Sequence, residues 1–152
     1  LGESKVAMYK AVGYQMEILH RHRPKYLMGV GTPVDIIRAV EMGVDIFDSV
    51  YPTRNARHRT ALTNRGPMNI NASSFKGRLD KIEEGCSCTT CKGYSRAYIH
   101  HLFGVKELLA MRLLTVHNLH FMMRLMKNIR VSIDEGNFEK FKKDFIGAYS
   151  RV

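Results

Sequence analysis

Cys86, Cys88 and Cys91 are all of the chain's cysteines, and they fall within one short loop. A Cys-x-Cys-x-x-Cys spacing lets three thiolates from a tight turn reach one tetrahedral centre. A histidine from a following helix would close that shell around a zinc ion, one per chain, in a structural role with no open position. Gly85 and Gly93 bracket the loop, where positive φ angles are expected as the chain doubles back. A disulfide framework fits poorly, because the cysteine count is odd and the three are clustered. Spacing leaves the fourth ligand open, since His100, His101, His117 and His120 all lie downstream.

Asp48 is the second residue placed for chemistry. Val44-Asp45-Ile46-Phe47-Asp48-Ser49-Val50 reads as a strand, and alternation puts Val44, Ile46, Asp48 and Val50 on one face, expected to point inward, with Asp45 and Phe47 on the other. Pro52-Thr53-Arg54-Asn55-Ala56-Arg57 follows. In a parallel barrel the active site lies at the C-terminal mouth of the strands, so an aspartate there with arginines behind it suits chemistry on an anionic substrate. On position alone Asp48 is equally placed to cap the next turn or to pair with Arg54.

These residues need elements to hold them. An apolar-periodic stretch from Val6 to Leu19 predicts a helix, ended by the basic link His20-Arg21-His22-Arg23-Pro24. Tyr26-Leu27-Met28-Gly29-Val30 predicts a short buried strand. Thr32-Pro33-Val34-Asp35 predicts a helix start, with Thr32 as N-cap, Pro33 at the first helical position and Asp35 in the first turn. Ile36, Ile37 and Val40 share its apolar face, and Gly43 ends it. Strand, helix and strand make a right-handed βαβ unit, the repeat of a parallel sheet or a barrel. From Tyr51 to Glu84 the sequence is polar and basic, with short strands expected at Ala61-Leu62-Thr63 and Met68-Asn69-Ile70. Beyond the cysteines helices are expected over Ser95 to Phe103, Lys106 to Ile133 and Asn137 to about Tyr149, punctuated by Gly104 and Gly136. The stripe Leu113, Leu114, Leu119, Met122, Met123, Leu125, Met126 and Ile129 reads as core.

At 152 residues and 45% hydrophobic content the chain can bury a core, which excludes a disordered tail. No apolar run approaches the roughly 20 residues needed to span a bilayer, so no membrane association and a cytoplasmic location are expected. A formal net charge of +10 suggests an anionic partner, nucleic acid first.

Tyr26-Leu27-Met28-Gly29-Val30-Gly31, Val44-Asp45-Ile46-Phe47-Asp48, Pro52-Thr53-Arg54-Asn55-Ala56-Arg57, the cysteine loop, Tyr94-Ser95-Arg96-Ala97-Tyr98-Ile99-His100-His101-Leu102 and Leu114-Thr115-Val116-His117-Asn118 occur in this order. Together they resemble the C-terminal half of tRNA-guanine transglycosylase, across essentially the whole chain. The resemblance implies an α/β fold, the C-terminal part of a (β/α)8 TIM barrel with an inserted zinc-binding subdomain and C-terminal helices. Residues 1–50 would be the last βα units, 51–93 a basic RNA-binding insertion with the zinc loop, and 94–152 the helical zinc subdomain and C-terminal helices. It further implies a pentosyltransferase that exchanges guanine at the wobble position of tRNA with a GUN anticodon for a 7-deazaguanine base, preQ1 or queuine, in queuosine biosynthesis. Asp48 matches the nucleophile, which forms a covalent aspartyl-ribose intermediate. Gly2, Glu3, Met28 and Gly29 match substrate-binding positions of the base pocket, where a thioether can pack on a purine face. Arg54 and Arg57 match RNA-binding positions, and the resemblance selects His117 as the metal ligand beside Cys86, Cys88 and Cys91. A homodimer or a paralogous heterodimer is the expected assembly.

Complete family members are more than twice this long, so the chain is expected to be a fragment without the family's general acid and base, and inactive in isolation. Two departures stand out: Ser49 where many relatives have cysteine, and His58-Arg59-Thr60 in place of a more usual glycine-containing turn. Two other readings are a non-catalytic partner subunit of the same family and a free-standing zinc-stabilised RNA-binding module. Retention of Asp48 argues against the first, and aromatics that follow the core pattern argue against the second.

Overall fold

A computed structural model of the chain describes residues 4–20 and 22–149. Gly2 and Glu3, expected in the base pocket, lie outside the described residues. The chain divides into two compact units, Leu1–Val50 and Tyr51–Val152.

The first unit is mixed α/β. Helix α1 spans Lys5–Ile18 and is capped by Ser4, whose hydroxyl accepts from the Ala7 N–H. Strand β1 is Tyr26–Leu27, helix α2 is Pro33–Glu41 and strand β2 is Ile46–Phe47. The two strands pair in parallel, Tyr26 with Ile46 and Leu27 with Phe47. The start of α2 forms as expected: Thr32 accepts from the Asp35 N–H, Pro33 occupies the first turn, and Gly43 at φ +98° lets the chain leave the helix. Asp35 is buried, yet its carboxylate stays ionised. Burial by itself would raise its pKa, but hydrogen bonding with Thr32, then Tyr9 (2.6 Å) and Lys5 (3.0 Å), outweighs that desolvation and holds it below the usual value.

Both strands are shorter than the sequence suggests. The backbone turns away at Gly29, where φ is +72°, and each strand has one partner to prolong the ladder. The expected facing also needs correction. Val44 precedes the regular strand and packs with Val12 and Ala39, against which Leu27 and Phe47 also lie. Tyr26, Met28, Ile46, Asp48 and Val50 are exposed, so the face expected to point inward is open in this chain. Two strands cannot enclose an interior; burying both faces of a parallel sheet needs further strands or helices.

The second unit is mainly helical. Helix α3 spans Tyr51–Arg57, at the start of the polar, basic segment for which the sequence predicts short strands and no helix. A hairpin of β3 (Thr60–Thr63) and β4 (Gly66–Asn69) follows, antiparallel, with Thr63 opposite Gly66. Helix α4 (Thr89–Gly93) sits inside the cysteine loop, followed by α5 (Arg96–Gly104), α6 (Leu108–Asp134) and α7 (Phe138–Tyr149). Gly85 adopts the expected positive φ, +75°, whereas Gly93 closes α4 outside that region. One core gathers Ala56 of α3, Ala61 of β3, Ile70, Ile82, the three cysteines, Ile99 and Phe103 of α5, and Leu113 and Leu114 of α6. Of the methionine-rich stripe, Leu113, Leu114, Leu125 and Ile129 are core, but Met123 is 67% exposed and Leu119 is also on the surface. Leu119 and Met123 belong to the outer side of a 27-residue helix, which cannot be covered all round by one layer.

Candidate functional site

The three cysteines and His117 converge in the second unit. Cys88 is the N-cap of α4, its sulfur accepting from the Cys91 N–H at 3.3 Å, so the cap itself fixes the spacing of two thiols. His117 projects from α6 into the loop, fully buried. Its Nε2 donates to the Leu62 carbonyl at 2.9 Å, which fixes the tautomer and leaves the Nδ1 lone pair facing the sulfurs. Nδ1 lies 3.4 Å from Cys91 Sγ, 3.7 Å from Cys88 Sγ and 3.8 Å from Cys86 Sγ. Zinc bonds of about 2.3 Å to sulfur and 2.0 Å to nitrogen at tetrahedral angles place nitrogen roughly 3.5 Å from each sulfur, close to what is found.

The electrostatics fit a cation in the same place. Burial pushes the Cys91 thiol up to about 12 and the Cys86 thiol up as well, so adjacent thiolates need a positive charge between them. Burial likewise holds the His117 imidazole below its ordinary pKa, in the neutral form a metal ligand requires. All four donor atoms lie within 4.8 Å of one another. The residues therefore fit zinc: four protein ligands, no open coordination position, and a role in holding the loop to α6. Of the histidines that spacing left open, His100 and His101 lie on α5 and His120 reaches Ser87; none joins the cluster.

Asn118, next to His117, ties this centre to neighbouring segments. Fully buried, it accepts from the Leu62 N–H (2.9 Å) and donates to the carbonyls of Pro52 and Thr60 (2.9 Å each). The start of α3 is thus bonded to the helix that supplies the metal ligand. The α3 face opposite Pro52 and Ala56 presents Arg54 and Arg57 to solvent, and among the described residues neither has a carboxylate partner. Glu83 braces the other side of the loop, accepting from the Asn64 N–H and pairing with Arg124.

In the first unit Asp48 stands just beyond β2, fully exposed. Its Oδ1 accepts from the Tyr26 hydroxyl at 2.7 Å and from the Gly29 N–H at 3.0 Å. The tyrosine bond first, then the backbone bond, hold this carboxyl below the usual carboxylate range. Met28, 73% exposed, and Gly29 lie at the same strand end. The structure thus brings Asp48, Met28 and Gly29 together. Tyr26 and Asn118 are the partners that sequence reasoning missed. Strand register could have suggested Tyr26, since residues paired across parallel strands share a face; no local signal marks Asn118.

A parallel βαβ unit with a carboxylate at its strand end, carried on one chain with a metal-stapled helical unit and a basic helix, defines an α/β protein with a structural metal centre. The family model described as Queuine tRNA-ribosyltransferase matches residues 1–151, and the chain belongs to that family. It is similar to the queuine tRNA-ribosyltransferase of Dictyoglomus turgidum, 48% identical over 151 residues, which are 99% of this chain and 39% of that protein. The corresponding protein of Helicobacter acinonychis is 47% identical over 150 residues, covering 99% of this chain and 40% of its own length. A Helicobacter pylori relative is 48% identical over 149 residues, 98% and 40% respectively. The chain spans about two fifths of the length of the curated relatives it matches.

Proposed function

We propose that this chain is the nucleophile- and zinc-bearing part of a tRNA-guanine transglycosylase. Asp48 carries the reading. It is an exposed carboxylate, kept ionised and oriented by Tyr26 and Gly29, at the C-terminal end of a parallel strand in a member of this family. One carboxylate oxygen attacks the anomeric carbon of the ribose. That carbon's bond to guanine breaks, guanine leaves with the bonding electrons and takes up a proton, and an aspartyl-ribose ester remains. An incoming 7-deazaguanine, preQ1 or queuine, then attacks the same carbon, loses a proton and releases the carboxylate.

The open face of Tyr26, Met28, Ile46 and Asp48 supports a TIM-barrel reading, in which further strands would enclose it. Met28 lies beside the base, and Gly29 brings a backbone N–H close to the reacting carboxylate; Gly2 and Glu3, outside the described residues, are the other base-pocket positions that the resemblance implies. Arg54 and Arg57 hold anticodon phosphates of a tRNA with a GUN sequence, in the cytoplasm, within a homodimer or a paralogous heterodimer.

The test is a denaturing gel of the complete enzyme with labelled tRNA. A protein-RNA adduct should accumulate when the incoming base is withheld, and Asp48→Asn should abolish both the adduct and guanine exchange. Its tRNA affinity should stay within about tenfold, or 1.4 kcal/mol. An Asn variant that exchanges guanine at the parent rate removes Asp48 from the nucleophile's role and leaves a partner subunit as the better description.

A further inference from the structure

Helix α3 ends at Arg57, and two residues, His58 and Arg59, turn the chain into β3. Arg59 sits at φ +62°, in the left-handed region that glycine enters freely and a residue with a Cβ does not. The turn is pinned on both sides: the Arg59 N–H donates to the Ala56 carbonyl (3.0 Å), and the Arg59 carbonyl accepts from the Ile70 N–H (2.8 Å). The strain is therefore part of the fold, and the turn gains nothing from an arginine. Backbone strain of this kind persists where a side chain is wanted for another purpose.

The side chain indicates that purpose. Its guanidinium lies 5.8 Å from the centroid of the Phe103 ring, which is itself buried. A guanidinium attracted to the face of a ring can still offer N–H groups to an anion, and among the described residues Arg59 has no carboxylate partner. The preceding residues add Arg54, Arg57 and His58, all exposed, in a chain of net charge +10. A guanidinium within about 6 Å of an aromatic ring and without a carboxylate partner among the described residues suits a phosphate oxygen pair.

We infer that Arg59 is a third RNA phosphate contact, extending the cationic strip of α3 beyond Arg54 and Arg57 toward the backbone of the anticodon loop. This rests on the RNA-binding reading of α3 given above.

The test is fluorescence anisotropy of a labelled anticodon stem-loop RNA with the full chain, as a function of salt, for Arg59→Lys, Arg59→Gly, Arg59→Ala and Arg54→Ala. Losing one phosphate contact on single-stranded RNA should lower the log-log salt slope by about 0.7, which is about fivefold in affinity at 0.1 M salt. Arg59→Gly and Arg59→Ala should lose the slope equally, Arg59→Lys should keep it, and Arg59→Gly should melt above Arg59→Ala because only glycine relieves the turn. If glycine binds like the parent while alanine does not, Arg59 serves the turn and the inference fails. If all Arg59 variants bind like the parent while Arg54→Ala loses slope, the inference fails and the α3 reading stands. If Arg54→Ala keeps the slope as well, or the parent binding does not respond to salt, both fall.

Discussion

The Tyr26 hydroxyl donates to Asp48 Oδ1 across two parallel strands, at 2.7 Å and 22 residues apart in sequence. The bond lowers the Asp48 pKa and raises that of Tyr26, since ionising the phenol beside a carboxylate is unfavourable. If Asp48 is the nucleophile proposed above, it must be ionised at the working pH, and Tyr26 would then act on the reaction through Asp48. Tyr26→Phe should raise the Asp48 pKa and move the acid limb of guanine exchange to higher pH, with little change on the alkaline side. Carboxyl-carbon NMR titration of Asp48 in this chain checks the first part; an unchanged titration would mean that the Tyr26 bond does not set it. The stability linkage has a matching sign. A folded-state pKa below the unfolded value of about 3.9 stabilises above that pH and is lost as pH falls through the folded value, and it is weakly felt because Asp48 is exposed.

Arg54 and Arg57 each present one charge to solvent from α3. If they hold phosphates, Arg54→Ala and Arg57→Ala should each reduce the log-log salt slope of tRNA binding by about 0.7 to 0.9. Thermal stability should change little, because neither side chain is part of the packed face. A lower melting temperature with an unchanged slope would place them in the fold and not at the RNA.

The start of α2 is legible from Thr32-Pro33-Val34-Asp35 because capping is a local property, settled by a hydroxyl three residues from the N–H it serves. The cysteine cluster is legible for the same reason: its spacing lies within one turn. Helix α3 is not, since seven residues with Pro52 near the start and arginines on the outer face show no apolar period. The choice of His117 rests on resemblance, because burial and the Leu62 carbonyl distinguish it from His100, His101 and His120, and neither shows in the sequence. Strand length was overread at Tyr26–Val30 and Val44–Val50, where β propensity continues but a ladder partner does not. The bonds from Tyr26 to Asp48 and from Asn118 to Pro52 join residues 22 and 66 positions apart, beyond any local pattern.

Asn118 makes a sharper test than a simple deletion. Asn118→Ala removes three hydrogen bonds from a fully buried site and leaves the Leu62 N–H and two carbonyls without that partner, a loss of about 3 kcal/mol. Asn118→Asp keeps the shape and the acceptor but turns a carboxylate oxygen toward the Pro52 and Thr60 carbonyls, so it should destabilise at least as much. Urea unfolding measures both, and zinc content should remain one per chain where the variants fold. A near-neutral Asp variant would show that the amide donors are not what tie α3 to α6.

Cys88 combines two tasks, donor to the metal and N-cap of α4, and these can be separated. Cys88→Ser retains a hydroxyl able to cap the Cys91 N–H but offers a poor zinc ligand, whereas Cys88→Ala offers neither. If the centre is structural, both variants should lose stoichiometric zinc and at least about 3 kcal/mol of stability, with Ala lower than Ser by about 1 kcal/mol for the missing cap. Treating the parent chain with a strong chelator should reproduce the larger loss, and adding zinc back should reverse it. Metal analysis together with thermal melts decides the matter. A chain that purifies without metal and melts like Cys88→Ser would show that packing alone holds the loop to α6.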